Sequence, residues 1–387
     1  MEDLIYLDNG ATSFPKPETV HGFMNDFYRN NGVSPGRSGY DLSIETGNIV
    51  ENTRKTMTAY FNGTDPNRLV FSANSTDALN LAIYGMVNPG DHIITTALEH
   101  NAVIRPLHHL TQYHGVEVDY IPFDEKGFVN PEDFRSKFKS STRLVVVNHG
   151  SNVIGTVQPV KEIGKICKAH GVPFLVDASQ TAGKLPIDIR DMNIDVIAFT
   201  GHKSLLGPTG IGGLYVSEGI EISHTRAGGT GVKSAQRHHL EEYPYRLEYG
   251  TMNTVGNAGL YAGIQWVKDR GMDKIHHHEM AMTRQLRDGL TQIKDVVTYC
   301  ADDLDNHIGV LSFNIKGQEA VNIGTLLDGD YNIACRTGLQ CAPMVHEQLG
   351  TDKLHGTVRM GFGPFNTSEH VDKTLEAIDE IAGFLNR

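Results

Sequence analysis

The chain has 387 residues, 39% hydrophobic and 21% charged, and its net charge of −12 comes without a basic cluster dense enough for a nucleic-acid surface. No apolar run approaches the roughly 20 residues of a membrane span, the first residues lack the basic start of a signal peptide, and the four cysteines form no CxxC pair. We therefore expect a reduced, cytoplasmic protein with a large and a smaller domain, no metal site, and no nucleic-acid or membrane partner.

Short β-type runs alternate with helical stretches through the first two-thirds of the chain. The helices are expected from about Ser75, from about Asn101 and over residues 160–170. The strand-like runs are 69–71, 92–95, 116–120, 144–147, 174–177, 196–199 and 213–216. This alternation predicts an α/β fold whose mainly parallel sheet is covered by helices on both faces.

The pattern changes near Thr254. We expect one long helix from Thr254 to about Lys294, followed by a smaller α+β unit. Its strands are predicted at 310–313, 331–334 and 358–359, with helices starting at Ala320 and Ser368. No internal repeat or linker-like stretch separates the two parts, so they should share a packed interface. We place the large domain at residues 17–255 and the small domain at residues 1–16 and 256–387.

Two residues at neighbouring strand ends carry the main chemical signal. Asp177 ends one apolar run, and Lys203 follows the next run in the sequence Thr-Gly-His-Lys. Such a lysine can form a Schiff base with the aldehyde of pyridoxal phosphate (PLP), and the aspartate can keep the pyridine nitrogen protonated. A lone lysine here would more often be a solvated loop residue. Other parts of a PLP pocket, however, occur in order along the chain.

Polar residues at other strand ends complete this hypothetical pocket. Ser75 and Thr76 stand where a helix N-terminus could bind a phosphate. Either residue could instead be the cap of the helix, which explains many such motifs. His100 could stack on a flat ring, and Asn152 lies in a loop after a strand end, where ligand sites of α/β sheets gather. Gln180, three residues after Asp177, could reach the ring oxygen of the cofactor.

Two residues in the last part of the chain suggest a substrate site. Cys341 precedes a short predicted helix whose N-terminus would favour a thiolate, whereas an inert buried cysteine is the usual alternative. Arg359 lies on a predicted strand and could clamp a carboxylate through two parallel hydrogen bonds. Its alternative role is a structural ion pair.

With these motifs the chain resembles the class V aminotransferase-type, fold type I PLP enzymes. Within them it is most similar to the cysteine desulfurases and selenocysteine lyases of the SufS-like group. The resemblance extends over nearly the whole chain. Its most specific segments are 6–12, 176–180, 201–203 with 207–212, and 336–338 with 341–342. It implies a large domain with a mainly parallel seven-stranded sheet plus a smaller α+β domain that carries the cysteine loop.

The resemblance also implies roles for individual residues. Lys203, Cys341 and His100 would be catalytic, with Cys341 taking the sulfur and His100 stacking on the ring and relaying protons. Arg359 would bind the substrate carboxylate, with Asn152 and Arg37 as further substrate contacts. The cofactor would be bound by Ser75, Thr76, His100, Asn152, Asp177, Gln180, Thr200, His202, Lys203 and Thr251. Thr251 matches the residue that reaches the phosphate in the neighbouring subunit, which implies a homodimer.

Three positions depart from the pattern of the family. Gly10 stands where alanine is more common, the pair Leu339–Gln340 replaces a histidine-rich pair, and Gly36 replaces a frequent histidine before Arg37. These positions surround the expected path of the sulfur. The acceptor of the sulfur and the preference between sulfur and selenium therefore stay open, while the PLP assignment is unaffected.

The function expected from the sequence is a PLP-dependent cysteine desulfurase. It would convert L-cysteine to alanine, leave a persulfide on Cys341 and pass the sulfur to an acceptor protein. A selenocysteine lyase acting on L-selenocysteine is the first alternative. A class V aminotransferase or epimerase without sulfur chemistry is the second, and an inactive regulatory or carrier-binding protein is the third.

Overall fold

The strands and helices follow from a computed structural model that describes residues 4–35 and 39–385. The strands are β1 (Ile5–Tyr6), β2 (Leu69–Ser72), β3 (His92–Thr96), β4 (Glu117–Ile121), β5 (Thr142–Asn148), β6 (Phe174–Asp177), β7 (Val196–Thr200), β8 (Gly212–Val216), β9 (Val296–Thr298), β10 (Val310–Ile315), β11 (Ile333–Ala334), β12 (Arg336–Gly338) and β13 (Thr357–Gly361). The helices are α1 (Glu18–Asn31), α2 (Asp41–Tyr60), α3 (Ser75–Met86), α4 (Asn101–His114), α5 (Pro131–Arg135), α6 (Val160–His170), α7 (Thr254–Arg270), α8 (Met272–Leu290), α9 (Ala320–Tyr331), α10 (Pro343–Leu349) and α11 (Ser368–Leu385). Within the described ranges, no helix has the length and apolar character needed to cross a bilayer.

Seven strands form the main sheet, in the order β2-β8-β7-β6-β5-β3-β4. Strands β3 to β7 pair in parallel, and β8 runs antiparallel to both of its neighbours. Alternate residues of β5 enter two different cores: Val145 and Val147 pack on one face, and Leu144 and Val146 on the other. Burial on both faces explains why these strands read as continuous apolar runs. The predicted mainly parallel seven-stranded α/β sheet is confirmed.

A smaller antiparallel sheet has the order β12-β13-β10-β9. The N-terminal strand β1 joins this part of the molecule by pairing in parallel with β11. Ile5 and Leu7 pack with Phe313 and Met360 in the core of the small sheet. The first residues of the chain therefore pack in the small unit that is formed by the last part of the chain. The domain boundaries given above remain a prediction.

The single long helix expected from Thr254 to about Lys294 is wrong. Gly271 has a φ of +85° and its N–H donates to the Val267 carbonyl at 3.0 Å, which ends α7, and α8 starts at the next residue. A glycine can adopt this conformation because it has no Cβ to clash with the backbone. The break lets α7 pack on α1 and α2 while α8 packs on α11. The sequence pattern had not predicted α1 or α2.

The parallel strands place three polar residues at one edge of the sheet. Asp177 at the end of β6 pairs in register with Asn148 at the end of β5 and with Ala198 of β7. Thr200 ends β7 two residues later. Carboxyl ends of parallel strands form the edge at which α/β sheets bind ligands.

His149, directly after β5, gives a stability prediction. The ring is buried with its Nδ1 3.0 Å from the Thr181 hydroxyl, and burial lowers its pKa from 6.5 to about 4. Between these values the unfolded chain binds a proton that the folded chain does not, so the free energy of unfolding falls as the pH falls. When the pH falls from 7 to 5, the free energy of unfolding of His149→Gln should fall by about 2 kcal/mol less than that of the parent protein, as measured by urea unfolding.

The control for this measurement is His108→Gln, which alters an exposed imidazole on α4. It should lose as much stability between the two pH values as the parent does. An identical loss in His149→Gln would show that the buried ring does not contribute to acid destabilisation.

Candidate active site

One cavity at the carboxyl edge of the main sheet brings together residues from five separate segments. It is lined by Ser75, His100, Asn148, Gly150, Asn152, Asp177, Ser179, Gln180 and Lys203. Six of these side chains were proposed from the sequence as cofactor contacts. The structure thus brings them together, while the role of each remains a prediction.

Lys203 is half-buried three residues beyond the end of β7. Burial lowers the pKa of its amine from 10.5 to about 8; the charge of Asp177 opposes this shift and that of Arg359 adds to it. An ordinary surface lysine is almost fully protonated at pH 8, whereas about half of the Lys203 amines would be neutral. A neutral amine is the form that attacks an aldehyde or accepts a proton.

Asp177 is held by the turn that follows β6. Its Oδ1 accepts hydrogen bonds from the Ser179 backbone N–H at 2.9 Å and from the Ser179 hydroxyl. Its Oδ2 accepts none from residues 4–35 or 39–385. One oxygen therefore orients the carboxylate, and the other is left to receive a group bound in the cavity.

His100 caps the N-terminus of α4. Its Nδ1 accepts a hydrogen bond from the Ala102 backbone N–H at 3.0 Å, so the neutral ring carries its proton on Nε2. Burial, with the nearby charge of Lys203, lowers the imidazole pKa to about 4. The site therefore contains a flat, uncharged ring at neutral pH, which suits stacking against an aromatic ligand.

The start of α3 differs in one detail from the expectation. Asn74 caps this helix by accepting from the Asp77 backbone N–H at 3.0 Å, so the suggestion that Ser75 or Thr76 is the cap is wrong. Asn74 has the extended backbone that a cap needs, which leaves the two hydroxyls and the first helical N–H groups available to an anion.

His202, just before Lys203, is held by the N-terminal segment. Its carbonyl accepts hydrogen bonds from the hydroxyls of Thr12 and Ser13, each at 3.1 Å, and from the Lys16 amine at 3.0 Å. Its Nδ1 also lies 3.1 Å from the Thr12 hydroxyl. These contacts bind the peptide that carries Lys203 to the first residues of the chain.

Arg359 lies buried on β13 and already makes an ion pair. Its Nη2 is 2.5 Å from Asp8 Oδ1, and its Nη1 donates to the Asn152 carbonyl at 3.0 Å. Its Nε–H has no hydrogen-bond partner among the described residues. A Cβ on Gly10 would lie 3.1 Å from the guanidinium carbon, so glycine permits this close packing. The ion pair proposed as an alternative is thus present, and further donors remain for a carboxylate.

Cys341 is exposed, whereas burial raises the thiol pKa of the other three cysteines, Cys167, Cys300 and Cys335. The turn that carries it closes with the Ala342 N–H donating to the Leu339 carbonyl at 2.9 Å. Both central residues, Gln340 and Cys341, have positive φ values of 42° and 60°. For residues other than glycine this left-handed region costs about 1–2 kcal/mol each. The predicted short helix is α10, which starts two residues after Cys341.

Seven of the predicted residues do not line this cavity. Thr200, His202, Arg359 and Cys341 belong to the segments described above, and Thr76 lines a different pocket with Asn80 and Arg226. Arg37 lies outside the described residues. Thr251 is exposed and lines a separate cavity together with Arg54 and Glu248, so within one chain it does not reach the Lys203 site. No group of three or more His, Cys, Asp or Glu side chains that could hold a metal was found in residues 4–35 and 39–385.

Sequence reasoning missed two acidic residues of the site. Asp8 holds Arg359, and only its place within the Tyr-Leu-Asp-Asn motif could have drawn attention to it. Glu99 is fully buried beside His100, and burial raises its pKa to about 8. Its Oε1 accepts from the Thr96 hydroxyl at 2.7 Å and from the Asn148 N–H at 2.9 Å. Glu99 therefore holds the end of β5 through the Asn148 N–H and is a mostly protonated acid at pH 7.

The residues present fit PLP. Within the described part of the chain, ten buried side-chain atoms lack a hydrogen-bond partner, and five of them belong to residues of this site: Thr200 Oγ1, Asn152 Oδ1, Asn148 Oδ1, Glu99 Oε2 and Arg359 Nε. Buried polar groups are normally paired, so these atoms indicate a polar ligand that completes the site. Lys203, with its lowered pKa, would meet the aldehyde of PLP. The oriented Asp177 carboxylate would meet the ring nitrogen, and the neutral His100 imidazole would meet the ring face.

Comparison with known proteins supports the resemblance drawn from the motifs. The profile of the Aminotransferase class-V family matches residues 5–374. A probable cysteine desulfurase of Methanothermobacter thermautotrophicus is 34% identical, over 99% of this chain and 96% of that protein. A cysteine desulfurase of Salmonella dublin is 33% identical, over 98% and 93%. The apo structure of a cysteine desulfurase from Thermococcus onnurineus NA1 is 32% identical with a TM-score of 0.89, covering 99% of this chain and 95% of that one. The predicted family is confirmed.

The lowered pKa of Lys203 yields a test that needs no substrate. PLP added to cofactor-free protein and trapped with borohydride should be found on Lys203 by peptide mass analysis. The rate of trapping should rise with pH through about 8, because only the neutral amine attacks the aldehyde. Lys161, whose ion pair with Asp191 raises its pKa, is the internal control and should stay unlabelled at pH 8. Labelling of a different lysine would contradict the proposed cavity.

Proposed function

The chain belongs to the class-V aminotransferase family, and from this we propose that it is a PLP-dependent cysteine desulfurase that leaves the sulfur of L-cysteine on Cys341. The observation that carries the proposal is the attachment of the exposed Cys341 turn to the Lys203 cavity. The Cys341 carbonyl accepts from the Asn101 N–H at 2.7 Å, next to His100, and the Gln340 carbonyl accepts from Asn152 Nδ2 at 2.7 Å. An aminotransferase or epimerase has no need of a thiol there.

The cofactor would be held at both ends of the cavity. Lys203 would bind the aldehyde carbon, Asp177 the ring nitrogen, and Gln180 and Asn152 the ring oxygen. When bound, PLP supplies an electron-withdrawing ring that stabilises negative charge at the substrate Cα. The phosphate would lie against the start of α3 and the end of β7, at Ser75, Thr76, Thr200 and His202.

Arg359 would bind the carboxylate of the substrate. Its Nε–H and the hydrogens of Nη1 and Nη2 not used by Asn152 and Asp8 are available for that purpose. Because Asp8 and the Asn152 carbonyl hold the guanidinium in place, little side-chain entropy is lost when the carboxylate binds. Asn152 and Arg37 are the further substrate contacts that the resemblance suggests.

Lys203 is the residue best suited to move the Cα proton. With a pKa near 8 it can accept a proton at neutral pH and return it later in the cycle. His100 is neutral, and its Nδ1 lone pair is occupied by the Ala102 N–H. The ring can therefore stack and donate from Nε2, and a relay of protons would have to pass through that atom.

Cys341 would complete the reaction. Its thiolate sulfur attacks the sulfur of the substrate, so that an S–S bond forms while the substrate Cβ–S bond breaks. The electron pair of the broken bond stays with the substrate carbon, which takes a proton and leaves as alanine. One thiol and one cysteine thus become one persulfide and one alanine, and an acceptor protein or thiol would then remove the outer sulfur.

We also propose a homodimer. Thr251 is exposed and does not line the Lys203 cavity of its own chain, which supports a role at the phosphate of a second subunit. The L-selenocysteine reaction is the alternative use of the same residues. Its Cβ–Se bond can break with the electron pair left on the substrate carbon, which takes a proton and leaves as alanine, while selenium is released as Se(0) without transfer to a thiolate.

Substitution of Cys341 tests the proposed function. Cys341→Ala should still change the visible absorbance of bound PLP when L-cysteine is added, because Lys203, Asp177 and Arg359 are intact. Alanine production should fall at least about a hundredfold, with no protein persulfide by mass spectrometry, because no thiolate at position 341 is then present to take the sulfur from the substrate Cβ. Turnover of L-selenocysteine should be largely kept.

The matched control for this experiment is Cys335→Ala, which removes a more buried thiol from the same segment. It should behave as the parent with both substrates. Alanine production from L-cysteine at the parent rate in Cys341→Ala would reject Cys341 as the sulfur acceptor, and a general PLP lyase or aminotransferase would become the better assignment.

Gly10 tests the role of Arg359 without altering it. A methyl group at this position would approach the guanidinium carbon to 3.1 Å and Nη2 to 3.2 Å, so the guanidinium would have to shift by a few tenths of an ångström. We expect Gly10→Ala to raise KM for L-cysteine about tenfold with kcat changed less than twofold, the pattern of lost ground-state binding. Gly22→Ala is the control, because a Cβ there contacts nothing within 4 Å. Equal KM values for the two variants would argue against a carboxylate site at Arg359.

A further inference from the structure

We infer that Gln340 is a positioning residue that holds the Cys341 turn against the cofactor cavity. The inference rests on the proposed function and deepens it. Gln340 is buried, in contrast to its neighbours Leu339 and Cys341, which are both exposed. Its side chain and its backbone carbonyl are hydrogen-bonded to different parts of the molecule, so one residue connects the nucleophile to two structural supports.

The turn needs such support because its backbone is unfavourable. Gln340 and Cys341 both lie in the left-handed region, where a tight turn with two such residues usually has glycine, asparagine or aspartate. A strained conformation of two larger residues persists only when the surrounding contacts impose it. The side chain of Gln340 makes those contacts.

The side-chain amide of Gln340 is hydrogen-bonded to the small sheet and to α10. Its Nε2 donates to the Thr357 carbonyl at 2.8 Å. Its Oε1 lies 2.9 Å from His346 Nε2 and 3.3 Å from the Thr357 hydroxyl, and both of these groups donate to it. The other nitrogen of His346, Nδ1, lies 2.8 Å from the Thr351 hydroxyl, so the imidazole orientation is set from both sides.

The backbone of the turn is hydrogen-bonded to residues at the cofactor cavity. The Gln340 carbonyl accepts from Asn152 Nδ2, which leaves Asn152 Oδ1 without a partner in the described chain and available to a ligand. The next carbonyl, that of Cys341, accepts from the Asn101 N–H beside His100. A loss of the Gln340 side-chain bonds would therefore move the thiol relative to the groups that hold the substrate.

This arrangement explains one departure of the sequence from the family pattern, the residue pair before the cysteine. The related enzymes commonly have histidine in the pair before the cysteine, whereas this chain has Leu339 and Gln340. Here a histidine, His346, is six residues further on and meets the glutamine from α10. Gln340 and His346 together are expected to hold the nucleophile.

The test compares two substrates that differ in their need for the thiol. In Gln340→Leu we expect alanine production from L-cysteine to fall between about tenfold and a hundredfold, the cost of misplacing a reacting group by around 1 Å. Production from L-selenocysteine should stay within about twofold of the parent, because it does not require attack by Cys341. Leu339→Ala, in the same turn but with an exposed side chain, is the matched control and should resemble the parent with both substrates.

Amide hydrogen exchange in cofactor-free protein provides a readout independent of activity. The N–H groups of Ala342 and Asn101, which close and anchor the turn, should exchange faster in Gln340→Leu and remain protected in Leu339→Ala. If Gln340→Leu does not fold, His346→Leu removes one bond to the glutamine side chain from outside the turn. This variant should also lower alanine production from L-cysteine but not from L-selenocysteine, and by a smaller factor than Gln340→Leu.

The outcomes separate this inference from the proposed function. Equal losses with both substrates, or no loss with L-cysteine, overturn the positioning role of Gln340. A parent protein that makes no alanine from L-cysteine overturns the proposed function instead. In that case unchanged exchange of Ala342 and Asn101 in the variant would still reject Gln340 as the residue that holds the turn.

Discussion

The parallel pairing of β5, β6 and β7 is the constraint on which the whole site depends. Parallel strands in register bring their carboxyl ends to one edge, so Asn148, Asp177 and Thr200 meet although they are far apart in sequence. The strands themselves are buried on both faces and cannot shift without moving two cores. Lys203 follows the last of these strands, and its distance from Asp177 is therefore set by the sheet.

A second layer of the site comes from the two ends of the chain. The N-terminal segment holds the carbonyl before Lys203, and its Asp8 makes an ion pair with Arg359 of β13. Burying an ion pair is costly, and part of that cost is offset because Arg359 Nη1 also donates to the Asn152 carbonyl, while its Nε–H has no partner in the described chain. The small sheet thereby becomes part of the substrate site instead of a separate unit.

Electrostatic and conformational effects act together around the nucleophile and the lysine. Burial keeps His100 and His202 uncharged at neutral pH and lowers the pKa of Lys203 to about 8, so that about half of its amines are neutral at pH 8. The Cys341 turn, in contrast, stores backbone strain of about 1–2 kcal/mol per left-handed residue. Hydrogen bonds from Asn152, Asn101 and the Gln340 side chain offset that strain, and they tie the thiol to the same groups that surround the lysine.

Local patterns in the sequence were sufficient for the alternating strands and helices, for helix 160–170, and for the candidate pair of Asp177 and Lys203, because apolar runs and strand ends are encoded by neighbouring residues. The division of the long C-terminal helix at Gly271 was missed, since a glycine in a helical pattern breaks it only when packing on each side requires it. The Asp8–Arg359 pair and the bonds of Gln340 join residues up to 351 positions apart, and no local pattern contains such contacts. The tertiary structure alone decides them, because they depend on how the two sheets and the N-terminal segment pack together.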